Sequence, residues 1–146
     1  MIYLGSDHAG FALKRKVEAL LLGKGIAFMD YGALTCDKED DYPDFCILVA
    51  KAVARHAGSK GIVIGGSGIG EAIAANKVKG VRAAVVYDDF TATKSRQHND
   101  ANVIALRARG VPAAKSLRLL TLWLRTPFSK ATRHKRRIAK ISRYER

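Results

Sequence analysis

The chain has 146 residues, of which 48% are apolar and 27% charged, the size and make-up of one folded domain with a sizeable core, which excludes disorder and collagen-like repetition. Its 26 Lys and Arg against 13 Asp and Glu give a net charge of +13, so anionic partners are expected. The most apolar stretches, Val17 to Leu22 and Leu117 to Leu124, are too short to cross a bilayer.

Short aliphatic runs alternate with longer segments of helical period, the pattern of a parallel sheet wrapped by crossover helices. In chain order the expected elements are a strand at Ile2 to Gly5, a helix at Gly10 to Leu22, a strand at Ile26 to Tyr31 and a helix at Pro43 to His56. A strand at Gly61 to Ile64, a helix at Gly70 to Lys77, a strand at Arg82 to Tyr87 and a helix at Phe90 to Gln97 follow. A strand at Asn102 to Leu106 and a helix at Pro112 to Leu124 complete the alternation. Pro43 and Pro112 suit a first helical turn, where the missing N–H is no loss. A last helix from about Ser129 to Tyr144 is expected, with Ser129 as N-cap. The fold class is thus α/β: a Rossmann-like open five-stranded parallel sheet with helices on both faces and an added C-terminal helix.

No repeat and no linker divides the chain, so one domain over 1–146 is expected. Cys36 and Cys46 have no zinc-ligand spacing around them, which speaks against a metal site or a disulfide framework. The start of the chain lacks the features of a secretory signal, and a cytoplasmic protein is expected. Residues 129–146 carry eight Lys or Arg and one Glu, about half the positive excess. The acidic run Asp37 to Asp41 reads as a solvated loop.

Open α/β sheets bind ligands beyond the carboxyl ends of their strands. That rule selects Ser6-Asp7-His8, Gly65 to Glu71, Asp88-Asp89 and Arg107 to Arg109. In Gly65-Gly66-Ser67-Gly68-Ile69-Gly70, a strand runs through a bare loop into a helix, which leaves backbone N–H groups free to hold an anion. A dinucleotide is disfavoured: with Gly66 and Gly68 as the first glycines of G-x-G-x-x-G, the third position falls on Glu71. A carboxylate beside an anion cradle makes sense when both act on one small substrate, one removing a proton and the other holding the resulting oxyanion.

Six segments in order carry a resemblance: Gly5 to Phe11, Asp41-Tyr42-Pro43, Gly65 to Glu71, Ala74 to Lys77, Ser95 to Val103 and Arg133 to Arg137. Together they resemble the ribose-5-phosphate isomerase type B family, which also contains galactose-6-phosphate and allose-6-phosphate isomerases. The resemblance implies aldose–ketose interconversion of ribose 5-phosphate and ribulose 5-phosphate through an enediolate, with neither metal nor other cofactor. One branch of the family has a cysteine base at the end of the third strand, here Gly65; the other has a glutamate six residues on, here Glu71. The resemblance therefore makes Glu71 the base. A first-turn carboxylate is also stabilised by the helix dipole, so a weak base helped by the loop amides is expected.

The resemblance further implies ring opening by His98 and contact with the reacting carbons or sugar hydroxyls by Ser67, Asp7 and Tyr42. It implies an oxyanion hole from Gly66, Gly68, Ile69, Gly70 and Asn99. Asn99 also suits an ordinary αL helix cap, and Tyr42 a packing role. Phosphate falls to His8, Arg109, Arg133 and Arg137, the last two one helical turn apart on one face, with His134 and Arg136 as lesser candidates. A homodimer with shared active sites, or a tetramer of such pairs, is implied, with His98 and the late arginines across an interface from the glycine loop.

Arg107-Ala108-Arg109 stands where the family pattern has more glycine. The excess charge also admits a second reading, a nucleic-acid-binding module using the basic tail and Tyr144. That reading leaves Glu71, Asp7 and the glycine loop without a purpose, since carboxylates repel phosphate backbones. A six-carbon sugar phosphate is the nearer alternative.

Overall fold

The computed structural model describes Met1 to Glu145; Arg146, the last residue of the expected 1–146 domain and of the basic segment, lies outside the described residues. The elements are β1 (Ile2–Ser6), α1 (Phe11–Gly23), β2 (Phe28–Asp30), α2 (Tyr42–Arg55), β3 (Lys60–Gly65), α3 (Ile69–Ala75), β4 (Ala83–Val86), α4 (Asp89–Asn99), β5 (Val103–Arg107), α5 (Ala113–Arg125) and α6 (Thr132–Ser142). All strand pairs are parallel, in the order β2-β1-β3-β5-β4. The expected α/β architecture is present.

Alternation along the central strands builds two cores. Leu4, Ile62, Ile64, Ile104 and Leu106 face one way, onto Val17 and Leu21 of α1, Ala92 of α4 and Leu119, Leu120 and Trp123 of α5. Tyr3, Val63, Val103 and Ala105 face the other way, onto Val49 and Val53 of α2 and Ala72 and Ala75 of α3. Both faces are covered, which is why β3 and β5 read as near-continuous apolar runs.

Several expected boundaries shift for local reasons. β2 is an edge strand of three residues rather than six, and α3 ends at Ala75 instead of Lys77. Pro112 is the residue before α5 and not part of its first turn. Ser129 does not cap α6: Lys130 takes a positive φ of 56°, Ala131 is the N-cap, and Ser129 Oγ lies 2.8 Å from His134 Nδ1. The αL residue closing α4 is Asp100 (φ 45°), not Asn99. The acidic run is not wholly solvated either, because the Asp40 side chain is only 10% exposed.

Candidate active site

The order of the sheet reverses between β1 and β3, and there the loops after the two strands splay apart to leave a crevice. Ser6 of β1 lies level with Ile64 of β3, and Gly65 of β3 with Arg107 of β5. Three segments far apart in sequence therefore meet at one edge. A cleft of about 710 Å³ is lined there by Asp7, His8, Tyr42, Gly66, Ser67, Ile69, Gly70, Glu71, Arg107 and Arg109, among others.

Arg109 is placed by backbone pairing that continues past the strands: Ala108 N–H donates to Gly65 O (2.9 Å) and Arg109 N–H to Gly66 O (3.1 Å). Its side chain lies across Gly66, where a Cβ would come within 3.4 Å of Arg109 Cδ. The departure from the family pattern at Arg107-Ala108-Arg109 thus leaves Arg109 in the cleft and adds Arg107 to it, a residue that the strand-end rule selected but to which the resemblance gave no role. Tyr42 both packs and lines the cleft: a Cβ at Gly70 would stand 2.7 Å from its ring, so glycine lets the ring lie against the loop.

Glu71 is 3% exposed, and its Oε2 has no hydrogen-bond partner. Burial pushes its carboxyl above the usual carboxylate range; the backbone N–H groups of Glu71 and Gly68 pull the other way, and nearby Asp7 adds to the rise. The expectation of a base weakened by the helix dipole is corrected accordingly, since desolvation outweighs the first-turn amides. Asp7 is buried, and its Oδ1 accepts the Gly10 N–H at 3.0 Å.

The loop amides are less uniformly free than the glycine pattern suggests. Ile69 N–H donates to Ser67 Oγ (3.2 Å). Gly68, with a φ of 81°, packs against the backbone of Ala105 and Leu106, and its N–H bears on Glu71. Gly66, Ser67 and Gly70 carry the N–H groups that find no protein acceptor among the described residues.

His8 borders the cleft with its ring 26% exposed and its Nδ1 2.6 Å from Asp40 Oδ1. Asp7, His8 and Asp40 are the one trio of metal-ligand side chains found close together among the described residues, their donor atoms within 4.8 Å of one another. The 2.6 Å contact is a hydrogen bond, too short to hold an ion between the two atoms.

A buried lysine braces the floor. Lys14 of α1 is fully buried, and its Nζ donates to both carboxylate oxygens of Asp30 (2.8 and 2.6 Å) and to Ala33 O (2.6 Å). The loop it holds pairs with Ser6 through Ser6 N to Gly32 O and Ala33 N to Ser6 O, immediately ahead of Asp7. Neither Lys14 nor Asp40 stood out in the sequence, because each is defined by a partner distant along the chain.

The remaining expected site residues lie elsewhere. α4 runs back from the carboxyl end of β4, so His98 and Asn99 fall at the amino end of the sheet, where Arg82 Nε donates to Asn99 O at 2.9 Å. From the level of Asn102 to that of Arg107 is five strand residues, about 16 Å. The His98 ring packs against His134 of α6 with centroids 4.2 Å apart and the rings tilted by 36°. Burial, then Lys94, Arg133 and Arg137, hold the His98 imidazole below its ordinary range, which puts the two arginines in the same patch. Arg133 Nε also donates to His134 Nε2 at 3.3 Å. One chain thus carries two separate groups of these residues: a cleft with carboxylate, amides and cations, and a distant patch of histidine and arginine.

An open parallel sheet with a buried carboxylate facing an amide loop and flanking cations has the equipment of an enzyme that moves a proton on an anionic substrate. Comparison with known proteins narrows the class: the profile of the family described as Ribose/Galactose Isomerase matches residues 2–141. Ribose-5-phosphate isomerase B of Mycolicibacterium paratuberculosis is 47% identical over 145 residues, covering 99% of this chain and 91% of the relative. The crystal structure of ribose-5-phosphate isomerase B from Mycoplasma genitalium with bound ribulose-5-phosphate superposes with a TM-score of 0.95 at 43% identity, covering 99% of this chain and 95% of that one. The Clostridium thermocellum ribose-5-phosphate isomerase B gives 0.94 at 43% identity, covering 99% and 96%. The chain belongs to the ribose/galactose isomerase family.

Proposed function

We propose that the chain is an aldose–ketose isomerase interconverting ribose 5-phosphate and ribulose 5-phosphate, working as a single isomerase domain over 1–146 in the cytoplasm. Glu71 takes the proton from one of the two reacting carbons and returns it to the other. The negative charge that develops on the enediolate oxygen is met by the loop amides, chiefly Gly66, Ser67 and Gly70, and by Asn99. Burial suits Glu71 to this task, because a carboxylate stripped of solvent binds a proton more tightly and is therefore the stronger base in the abstraction step.

The residues of the distant patch join the same reaction through a homodimer. His98 and Asn99 of one chain face the glycine loop of its partner, so His98 moves the proton that opens the sugar ring, a task suited to an imidazole kept neutral. His8 and Arg109 from one chain and Arg133 and Arg137 from the other take the phosphate, while Asp7 and Tyr42 contact sugar hydroxyls. The separation of the two groups within one chain supports this sharing. No metal or other cofactor enters the scheme.

The observation that carries the reading is the buried Glu71 carboxylate with one oxygen unpartnered beside open amides. Turnover of ribose 5-phosphate by wild type and Glu71→Gln tests it, and equal rates would overturn the mechanism. Competition with allose 6-phosphate and galactose 6-phosphate tests the five-carbon choice.

A further inference from the structure

Asp40 lies in the loop between β2 and α2, within a run of acidic residues that has every reason to sit in water. Its side chain is nonetheless nine-tenths buried, and one oxygen, Oδ2, has no hydrogen-bond partner. Burying a carboxylate is costly unless strong bonds compensate. Its other oxygen makes two contacts, both with His8: the backbone N–H at 2.9 Å and ring Nδ1 at 2.6 Å. The loop has folded this one acid inward onto this one histidine.

The pairing has a chemical consequence for the cleft. An ionised carboxylate can only accept, so Nδ1 must carry the hydrogen. The ring is then fixed at its inner nitrogen, and Nε2 is the atom left for the cleft that His8 lines. A phosphate needs a donor at that nitrogen, which the imidazolium supplies. In that form the ring spans two anions, the Asp40 carboxylate behind it and the phosphate in front. We infer that Asp40 is a positioning residue, holding His8 so that its Nε2 N–H is aimed at the substrate phosphate. The same arrangement orients histidines that bind metals, where a carboxylate at the far nitrogen sets both tautomer and ring direction.

The inference rests on the reading of His8 as a phosphate ligand, and a double-mutant cycle separates the two. KM for ribose 5-phosphate and the inhibition constant of inorganic phosphate are measured for wild type, Asp40→Asn, His8→Ala and the double variant. Charge-assisted hydrogen bonds of this kind set the scale: Asp40→Asn should raise both constants about tenfold with kcat little changed, and add nothing once His8 is gone. If His8→Ala leaves both constants unchanged, the phosphate reading of His8 fails and the inference with it. If His8→Ala raises them but Asp40→Asn does not, or does so equally without His8, only the inference fails. Nitrogen-15 NMR of the His8 ring is a second readout: a protonated Nδ1 in the wild type that is lost or mixed in Asp40→Asn supports the assignment, and an Nδ1 without hydrogen in the wild type overturns it. Asp40→Ser serves the same cycle should Asp40→Asn fail to fold.

Discussion

The Glu71 carboxylate occupies the space that a side chain at Gly65 would fill, since a Cβ built at Gly65 overlaps Glu71 Oε1. A base at position 65 and a base at position 71 would therefore compete for one point beside the loop, reached from the end of β3 in one case and from the first turn of α3 in the other. Gly65→Ala should push the carboxylate aside and lower kcat by on the order of a hundredfold or more, within the range lost with a misplaced general base. Steady-state kinetics check this, and a Gly65→Ala variant with normal kcat would show that the overlap is relieved without moving the base.

The raised carboxyl of Glu71 sets two opposite pH dependences. Proton abstraction requires the ionised form, so kcat should fall as pH drops toward a value above the ordinary 4.5. For stability, a group whose carboxyl is raised by folding favours the native state fully below about pH 4.5 and loses that contribution as pH rises through its native value. Glu71→Gln should thus be nearly inactive yet melt at a higher temperature than wild type at pH 7, with the difference vanishing near pH 4. Calorimetry at the two pH values is the measurement, and a lower melting temperature at pH 7 would contradict the assigned cost of burial.

The proposed sharing of sites between two chains makes a prediction about mixtures. Glu71→Gln and His98→Asn should each be inactive alone, but unfolding and refolding them together should restore about a quarter of wild-type activity, because a two-fold dimer of mixed chains keeps one intact site. No recovery in a mixture that does form dimers would place both residues in the same chain's site. Relative to the wild type, removing the nearby cations by Arg133→Gln or Arg137→Gln should move the His98 titration upward by NMR, since both arginines help to hold it down.

Lys14 should prove structural. Lys14→Met removes the partner of the Asp30 carboxylate and of Ala33 O while keeping the volume. Breaking a buried pair from one side leaves an uncompensated charge, and a loss of about 3–5 kcal/mol in urea unfolding is expected. Lys14→Met with Asp30→Asn together should recover part of it. A loss under about 1 kcal/mol for the single variant would show that water replaces the ammonium.

Much of this protein was legible one segment at a time. The alternation of strand and helix, the glycine loop, Glu71 six residues after the end of β3, and the phosphate-type arginines one turn apart are properties of neighbours in sequence, governed by period and backbone freedom. The tertiary structure decided what depends on contacts between distant residues: that Glu71 is buried enough for desolvation to overcome the helix dipole, that Asp40 leaves an acidic loop to hold a histidine 32 positions away, and that Lys14 is an internal brace. It also decided that the expected site is divided, because a crossover helix returns antiparallel to its strands and so carries His98 and Asn99 to the end of the sheet opposite the glycine loop.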